Sequence, residues 1–512
     1  MVVVVSSAEL VKNRRNGAML DREDDSIDFN ASTTSFKSIK STTTNVSSAS
    51  TYTVDDAIEC VGFGRFQLIM SAIAGFAWMA DSMEIMLLSL LTPALTCEWG
   101  ITPAEQALST TCVFVGWMAC SPMWGWFCDR YGRRTGLFIS ALLCSSFGIA
   151  TAAAPSFTMF VVLRGCVGLS LGGITQIATI YTEFLPTTKR AGCILMLEFF
   201  WAIGAAVEAV IALLIMPTLG WRGLVVCSSV PLLIFAFCCI WLPESARYYV
   251  AHDKNDKAKE VLDRVARYNG KELPEGDLVA EKSEQTEKDV KKSSGILALL
   301  EKPLLATTLL IWVVWAMNAF SYYGMTLYTT KLFQSTDVCH GGSEENANTN
   351  HTSLCVPLKQ EDYVDIIATS FSEVPGLILT YFLIERLGRK MTMSVQFIFF
   401  GIANYLLYFC MGRTVIVSIL FVARAFISGA FQTAYVYTPE VYPTPMRAFG
   451  IGTASAFGRM GAILTPYVAQ VIAEYNLVYA TLIYGTSGMI GSLAAFLLPI
   501  ETAGRQMMDT TH

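Results

Sequence analysis

Long runs without a charged residue constrain the fold of this chain more than any other feature of its sequence. Four of them, 107–128, 223–243, 303–330 and 475–500, contain no Asp, Glu, Lys or Arg. Each is long enough for a bilayer-crossing helix, which needs about 20 residues. Of the 512 residues, 53% are apolar and 15% are charged, whereas an average soluble domain is about 25% charged. The sequence therefore predicts an integral membrane protein and excludes a soluble enzyme.

Twelve apolar segments of spanning length follow one another along the chain. We predict an all-α membrane protein whose twelve transmembrane helices form two six-helix bundles. The predicted spans are 66–95, 106–127, 134–154, 157–180, 191–216, 222–242, 304–333, 363–384, 390–411, 414–437, 448–472 and 477–498. The predicted domains are a disordered cytosolic tail (1–62), a first bundle (63–245), a central loop (246–302), a second bundle (303–501) and a cytosolic tail (502–512).

Basic residues concentrate in the loops on one side of the predicted bundles. Arg133, Lys189, Arg389 and Arg447 all follow even-numbered spans, so their loops share one face, which we call the basic face. Lys and Arg mark the cytosolic side of membrane proteins. We therefore predict that the basic face, the central loop and both termini are cytosolic.

The opposite face carries a long loop, 334–362, between spans 7 and 8, which is predicted to be lumenal or extracellular. It contains Asn350-His351-Thr352, an acceptor pattern for N-glycosylation. Cys339 and Cys355 flank this site, and an oxidising compartment would allow them to form a disulfide. The sequence leaves open whether these two thiols pair or stay free.

An internal repeat relates the two predicted bundles. The motif 129–134 reappears as 385–390, the segment 183–190 reappears as 440–447, and Leu242-Pro243-Glu244 has a counterpart at Leu498-Pro499. Each pair is separated by about 256 or 257 positions. Several matches in the same order at a nearly constant offset indicate a duplication. Because six spans separate the copies, both lie on the same face, and the repeat is parallel.

These motifs resemble those of known transporters. The segments 125–136, 164–173, 183–190, 243–247 and 381–391 resemble those of the major facilitator superfamily. Within it, 499–505 resembles the sugar and organic-ion transporter branch. The segments 62–67, 78–84, 319–324 and 434–443 resemble the group of synaptic vesicle protein 2 and its relatives. The resemblance covers residues 52–510 and implies two six-helix bundles around a central cavity, in a synaptic or secretory vesicle membrane.

Charged residues of the repeated loops are candidates for gating. Carboxylates and Arg side chains at such loops can bridge to the neighbouring bundle and hold the cytosolic side shut in one state, and opening must then break these bonds. The candidate gating residues are Asp129, Arg133, Arg134, Glu183, Arg190, Glu244, Glu385, Arg389, Glu440, Arg447 and Glu501. The alternative is that these groups only anchor the loops on the cytosolic side.

Two carboxylates within span 1 give the sharpest functional signal. Asp81 and Glu84 lie three residues apart and share a helix face. An ionised carboxylate in the middle of a bilayer costs about 2.5–3.5 kcal/mol, so both must face the bundle interior or water. We interpret them as a cation site or a proton-sharing pair. The alternative is that they pair with an internal Arg for structure alone.

Other polar and aromatic residues in the predicted spans complete the candidate substrate or proton site. They are Glu198, Glu208, Asn318, Tyr322, Glu373 and Arg459. We expect Glu373 and Arg459 to pair. For the repeat-matched Arg164 and Arg424, the sequence leaves structural roles and roles in transport equally open. Candidate wall residues are Trp78, Trp201, Phe320, Tyr322, Tyr323, Tyr435 and Tyr437. For any single one of them, packing against lipid or another helix is the favoured alternative. Aromatic faces help to hold a cation.

These observations favour a secondary active or facilitative transporter of a small organic, cationic molecule that works by alternating access. The alternative is a non-transporting vesicle protein that binds cytosolic trafficking partners through its tail and central loop, and a plasma-membrane organic-ion carrier is a third reading. No ATP-binding Gly-x4-Gly-Lys motif, metal-ligand spacing or cofactor fingerprint occurs in the sequence. The net charge of −6 argues against a nucleic-acid partner.

Overall fold

Twelve helical spans make up most of the protein. The computed structural model describes residues 51–279, 299–301, 304–335, 357–409 and 411–503. Spans 1 to 6 are Arg65–Trp99, Pro103–Tyr131, Arg133–Ala152, Phe157–Ile174 with Gln176–Glu183, and Thr187–Cys238, which holds spans 5 and 6. Spans 7 to 12 are Leu305–Ser335, Gln360–Phe371 with Glu373–Leu387, Arg389–Leu406, Arg413–Val441, Thr444–Pro466 extended to Tyr475, and Leu477–Leu497. The predicted fold class is confirmed.

Eight of the described helices are long and apolar enough to cross a membrane. One of them, Thr187–Cys238, has 52 residues and would be about 78 Å long if it were straight. It cannot be straight in a bilayer core about 30 Å thick. The chain reverses at Gly220, whose φ of 64° interrupts the helical conformation. Glycine adopts this left-handed geometry without the steric penalty of a Cβ atom, which explains the boundary between spans 5 and 6.

Span 1 lies at the centre of the helix packing. In its most apolar window 78% of the residues are buried, a larger share than in any other candidate span of the described chain. It packs extensively against span 5. Because most side chains of this window are buried inside the protein, its polar residues are directed at neighbouring helices.

Spans 4, 8 and 11 are interrupted. Span 4 breaks at Thr175 and span 8 at Ser372, directly before Glu373. Span 11 contains a π-helical segment, Tyr467–Ile472, that follows Pro466. Proline removes one helical hydrogen bond and widens the local turn, and such irregular turns are frequent at functional sites.

A small subdomain on the basic face contains residues 51–62, which corrects that part of the tail predicted to be disordered over 1–62. Residues 1–50 lie outside the described residues. Thr51–Tyr52 pairs in parallel with Asp277–Leu278 of the central loop, and Val54–Val61 forms a helix. Thr53 and Asp56 cap this helix reciprocally, with hydrogen bonds of 3.2 and 3.0 Å.

Helices Ala246–Ala251 and Asn255–Asn269 of the central loop complete the subdomain. The segment Asn255–Asn269 is amphipathic, and it buries Ala258, Leu262 and Val265. Ala258 and Leu262 form an apolar cluster with residues of the helix Val54–Val61 and of both strands. Burial of this cluster orders residues that a composition-based argument would leave unstructured.

Cys97, near the opposite-face end of span 1, is disulfide-bonded. The sequence interpretation did not assign a disulfide to this residue. Disulfides persist in oxidising compartments, so the bond supports a lumenal or extracellular location for this end of span 1. Asn350, Cys339 and Cys355 lie outside the described residues.

The two halves meet near the opposite face. The Thr111 hydroxyl of span 2 donates to the Ile463 carbonyl of span 11 at 3.4 Å. Farther toward the opposite face, Gln470 donates to the Thr92 hydroxyl at 3.3 Å. Span 8 also packs on span 5 mainly through its opposite-face segment, Gln360–Phe371.

Candidate functional site

Asp81 and Glu84 are both buried inside the protein, each with 1% of its surface exposed. They do not form an isolated carboxylate pair, however. Glu84 accepts a hydrogen bond from the Arg164 guanidinium of span 4, in an ion pair that is fully excluded from solvent. Neither oxygen of Asp81 makes a hydrogen bond. The structure thus gives Glu84 a neutralising partner and leaves the Asp81 carboxylate available.

Glu208 of span 5 joins the polar interior of the first half. It is completely buried, and it accepts a hydrogen bond of 2.6 Å from the Ser228 hydroxyl of span 6. Glu84 and Arg164 both lie close enough to influence its charge. Ser228 was not singled out in the sequence, because a lone serine in an apolar span carries no distinguishing signal.

The second half contains its own buried ion pair, which corrects the predicted pairing of Glu373 with Arg459. Glu373 of span 8 instead accepts a hydrogen bond of 2.7 Å from Arg424 of span 10. The Tyr322 hydroxyl also lies 3.0 and 3.1 Å from the two Glu373 oxygens. Arg424 and Arg164 occupy matched positions in the repeat, and they also have matched contacts, because each guanidinium neutralises one glutamate of its own half.

A hydrogen-bonded chain crosses from one half to the other. The Trp201 indole N–H of span 5 donates to the Tyr322 hydroxyl of span 7 at 2.6 Å. Because that hydroxyl accepts from Trp201, its own proton is free to be donated to Glu373. The link runs from Trp201 through Tyr322 to Glu373 and joins the two bundles at their centre.

Arg459 of span 11 faces the first half. Its guanidinium lies over the Trp117 ring of span 2, 5.2 Å from the ring centroid, a cation–π contact between the halves. Tyr435, Tyr323 and Asp81 interact with it electrostatically. Among the described residues no carboxylate lies within ion-pair distance of Arg459.

We call the residues between the halves the central site and define it as Asp81, Glu198, Tyr323, Tyr435 and Arg459. Asp81 and Glu198 belong to the first half and the other three to the second half. Both carboxylates influence the two tyrosines electrostatically. Glu198, Tyr435 and Arg459 remain partly exposed although they lie deep within the spans, which indicates that solvent reaches them from between the halves.

Aromatic rings surround the central site. Tyr323 packs on Phe114 of the first half with ring centroids 5.0 Å apart, and Tyr435 packs on Phe431 at 5.4 Å. Trp78 and Trp201 pack on each other at 6.1 Å. These contacts fit the predicted aromatic wall.

Two of the predicted wall residues lie elsewhere. Phe320 packs on Tyr484 within the second half, with centroids 5.3 Å apart. The Tyr437 hydroxyl donates to the Ile500 carbonyl at 2.7 Å, at the basic-face end of the spans. Both residues are occupied by contacts inside their own bundle, which the sequence pattern alone did not show.

Asn318 and Gln432 are buried polar residues without hydrogen-bond partners. Asn318 is 0% exposed and Gln432 is 2% exposed, and none of their four side-chain polar atoms makes a hydrogen bond. Asn318 lies one helical turn before Tyr322, and Gln432 lies three residues before Tyr435, so each pair shares a helix face. Unpaired buried amides are costly unless a ligand or water completes them.

The loop motif 129–134 forms a charged network on the basic face. Arg133 pairs with Glu183, and it also lies 3.7 Å from Asp129. Glu244 accepts hydrogen bonds from the backbone N–H groups of Arg133 and Arg134 at 2.8 and 3.2 Å. A carboxylate at the first N–H groups of a helix is favourable because it satisfies them and opposes the helix dipole.

The second half repeats this network closely. Arg389 pairs with Glu440 through two hydrogen bonds of 3.1 Å. Glu501 accepts from the backbone N–H groups of Arg389 and Lys390 at 2.9 and 3.1 Å. Glu385 takes no part in these bonds, and it lies beside Tyr381 of its own helix.

In this conformation the networks do not bridge the halves, so the gate, which is predicted to form in one state only, stays a prediction. Every partner named above belongs to the same half as its Arg. Arg190 and Arg447 likewise donate to carbonyls of their own half, Leu185 at 3.3 Å and Pro439 at 2.9 Å. In this conformation, where the halves meet near the opposite face, the motifs tie together three spans of one bundle.

The chain matches a known transporter family over most of its length. Residues 29–512 match the family described as Sugar (and other) transporter. Synaptic vesicle 2-related protein of Xenopus laevis is 48% identical over 463 residues, which cover 90% of this chain and 83% of that protein. Organic cation/carnitine transporter 7 of Arabidopsis thaliana is 34% identical over 492 aligned positions, covering 90% and 96%.

Solved structures give the same fold. The partially occluded inward-open structure of the xylose transporter XylE from E. coli has a TM-score of 0.65 to this chain. It covers 86% of this chain and 99% of its own, at 15% sequence identity. An identity this low bears on the fold alone, which is the twelve-helix fold of the major facilitator superfamily.

Proposed function

The chain belongs to the Sugar (and other) transporter family, and from this premise we propose that it moves a small organic cation across a membrane by alternating access. The observation that carries the proposal is the buried Asp81 carboxylate, which makes no hydrogen bond and lies beside residues of the other half. A buried anion without a partner is costly. A ligand that brings a positive charge to this position is therefore stabilised.

The charge balance of the interior supports a cationic ligand. The interior carboxylates are Asp81, Glu84, Glu198, Glu208 and Glu373, and the interior guanidinium groups are those of Arg164, Arg424 and Arg459. Two of these guanidinium groups are engaged in ion pairs with Glu84 and Glu373. The carboxylates outnumber the guanidinium groups by two. The interior is therefore electrically neutral only when a substrate cation or bound protons compensate these two negative charges.

The other groups of the central region suit an organic molecule. Tyr323, Tyr435 and the neighbouring rings offer faces to a cation and to apolar carbon. Asn318 and Gln432 offer unused amide donors and acceptors on adjoining helix faces. A bare metal ion would use neither feature, so we propose a substrate that combines a charged amine with an apolar body and a polar group.

The relatives' names support the finer assignments of substrate and membrane. One relative is an organic cation/carnitine transporter, and another is a synaptic vesicle 2-related protein. We assign the chain to a synaptic or secretory vesicle membrane, with the basic face in the cytosol and the disulfide-bonded end of span 1 in the lumen.

In alternating access, the loop networks serve as braces that hold the spans of each half together. Arg133 with Glu183 and Glu244, and Arg389 with Glu440 and Glu501, tie together the basic-face ends of three spans. A braced half moves as one body. Alternating access in this class of transporter is a rocking of two such bodies around a fixed site.

Uptake by purified protein in proteoliposomes tests the proposal. A panel of radiolabelled primary, secondary and quaternary amines is offered with and without an imposed pH gradient. We expect accumulation of at least one amine, and we expect Asp81→Asn to weaken its binding at least about 30-fold, because removal of one partner from a buried charge contact costs about 2 kcal/mol or more. The matched control is Glu272→Gln, which removes an exposed carboxylate of the basic-face subdomain.

Two results would oppose the proposal in different ways. Absence of uptake for every amine, together with amine binding that Asp81→Asn abolishes, would favour the non-transporting binding module. Neither uptake nor binding, or equal effects of Asp81→Asn and Glu272→Gln, would exclude Asp81 as a substrate group.

A further inference from the structure

A cleft on the basic face lies outside the central site, although it shares Glu244 with the brace of the first half. It has a volume of about 510 Å³ and separates the helix Asn255–Asn269 from the basic-face ends of spans 3 and 6. Its lining includes Arg134, Lys257, Glu260, Arg264, Arg267 and Tyr268. A second hollow of about 420 Å³ adjoins it, shares Arg134, Glu244 and Tyr249 with it, and adds Lys254.

The free charge in this cleft is positive. Glu244 already accepts the backbone hydrogen bonds of span 3, and the Arg134 guanidinium donates to the carbonyls of Cys239 and Ile240 at 2.9 and 2.6 Å. The charged groups of the cleft that remain available to a ligand are Lys257, Arg264, Arg267 and the single carboxylate of Glu260. All four are exposed, and within the described chain none of the three cations lies in an ion pair.

Helical spacing directs these cations into the same cleft. Lys257, Arg264 and Arg267 lie seven and three residues apart, which places them on one face of the helix Asn255–Asn269. Arg264 lies over the Tyr268 ring, with 6.0 Å between its guanidinium carbon and the ring centroid. The opposite face of the helix holds the buried side chains, so it fixes the orientation of the charged face.

The cleft lies at the level where the membrane meets water. Trp241 follows span 6 and is 71% exposed, and the Arg264 guanidinium donates to its carbonyl at 3.4 Å. Phe237, in the last turn of the same span, and Ile240, just after its end, are also exposed. Exposed apolar side chains that end in a Trp are typical of a lipid-facing helix at the headgroup level.

We propose that this cleft binds the phosphate-bearing headgroup of an anionic lipid in the leaflet at the basic face. Guanidinium groups bind phosphate oxygens with paired hydrogen bonds. Basic pockets beside transmembrane helices on the cytoplasmic side are suited to such headgroups. The exposed Phe237, Ile240 and Trp241 give the acyl chains a path into the bilayer, which a soluble phosphate compound would not need. We choose a lipid occupant for that reason.

Thermal unfolding of the purified full-length protein in detergent tests this proposal. The probes are short-chain phosphatidylinositol 4-phosphate, short-chain phosphatidylcholine, and free inositol 1,4-bisphosphate. We expect the phosphoinositide to raise the Tm in a saturable way and phosphatidylcholine to leave it unchanged. Arg264→Gln combined with Arg267→Gln should raise the apparent Kd for the phosphoinositide at least about tenfold.

The matched control is Lys259→Gln combined with Lys271→Gln, which removes two exposed cations outside the cleft. Its Kd should equal that of the unmodified protein. Equal effects of the two double variants, or no effect of either, would overturn the proposal. Free bisphosphate that binds as tightly as the lipid would also overturn it, because it would identify a soluble anion site. These measurements report lipid binding and not uptake, so their outcome is independent of whether an amine is transported.

Discussion

Glu84 of span 1 and Arg164 of span 4 form an ion pair in which the two side chains are 1% and 0% exposed. The pair lies beside Asp81, the carboxylate that makes no hydrogen bond. Asp81 and Glu84 share one helix face but therefore differ in whether they are available to a ligand. Glu84 is held by a permanent cation, whereas Asp81 can respond to a ligand.

Removing either partner of this pair should destabilise the protein. We expect Glu84→Gln or Arg164→Gln to lower the free energy of unfolding by about 3–5 kcal/mol, because each leaves an uncompensated buried charge. The double variant should lose less than the sum of the single ones. Denaturant unfolding in mixed micelles measures all three.

The control for this prediction is Arg222→Gln, which breaks the half-exposed pair with Glu98. Exposed pairs contribute about 1 kcal/mol or less, so the control should remain close to the unmodified protein. If Arg164→Gln were as mild as Arg222→Gln, the buried pair would not carry the stability that we assign to it.

Gly132 and Gly388 should tolerate no side chain. Their φ angles are 103° and 79°, and a Cβ atom on Gly388 would lie 2.8 Å from the Glu501 carboxyl carbon. Gly132→Ala and Gly388→Ala should therefore lower the Tm, since they impose backbone strain and displace the carboxylate that caps the next span. Gly125→Ala is the control, because open space surrounds that position. Equal Tm values for all three variants would contradict this account.

The spans could be predicted from the sequence because their signal is local. The prediction of 477–498 for span 12 differs by one residue from the helix Leu477–Leu497. In a chain of this composition, a long run of uncharged apolar residues can form few structures other than a membrane-spanning helix. The duplicated loops were equally accessible, because a repeat can be read without knowledge of packing.

The pairing of buried charges could not be predicted, because it depends on how helices rotate against one another. Glu373 lies next to Arg424 and not Arg459, and neither partner is near it in the sequence. The same applies to the basic-face networks, whose residues could be identified from the sequence but whose partners in this conformation could not. The helix Val54–Val61 was missed because its order comes from contacts with a segment about 200 residues away.

Asn350 should carry the N-linked glycan of this protein when it is expressed in animal cells. We expect Asn350→Gln to abolish the mobility shift on treatment with an N-glycosidase, because its loop is predicted to face the lumen. Asn30→Gln and Asn45→Gln alter acceptor patterns in the segment predicted to be cytosolic, so they should change nothing. If the mobility shift on N-glycosidase treatment persisted in Asn350→Gln, the predicted topology would be wrong.

Tyr322→Phe should loosen the contact between the halves without unfolding either one. The phenol hydroxyl accepts from Trp201 at 2.6 Å and lies 3.0 Å from Glu373, and a typical hydrogen bond contributes about 1 kcal/mol. Its loss should shift the protein away from this conformation, with faster hydrogen exchange at the opposite-face ends of spans 2 and 11. Tyr328→Phe is the control in the same span, because its hydroxyl bonds to the Leu477 carbonyl within the second half. Exchange that rises equally in the two variants would mean that the Trp201 bond does not join the halves energetically.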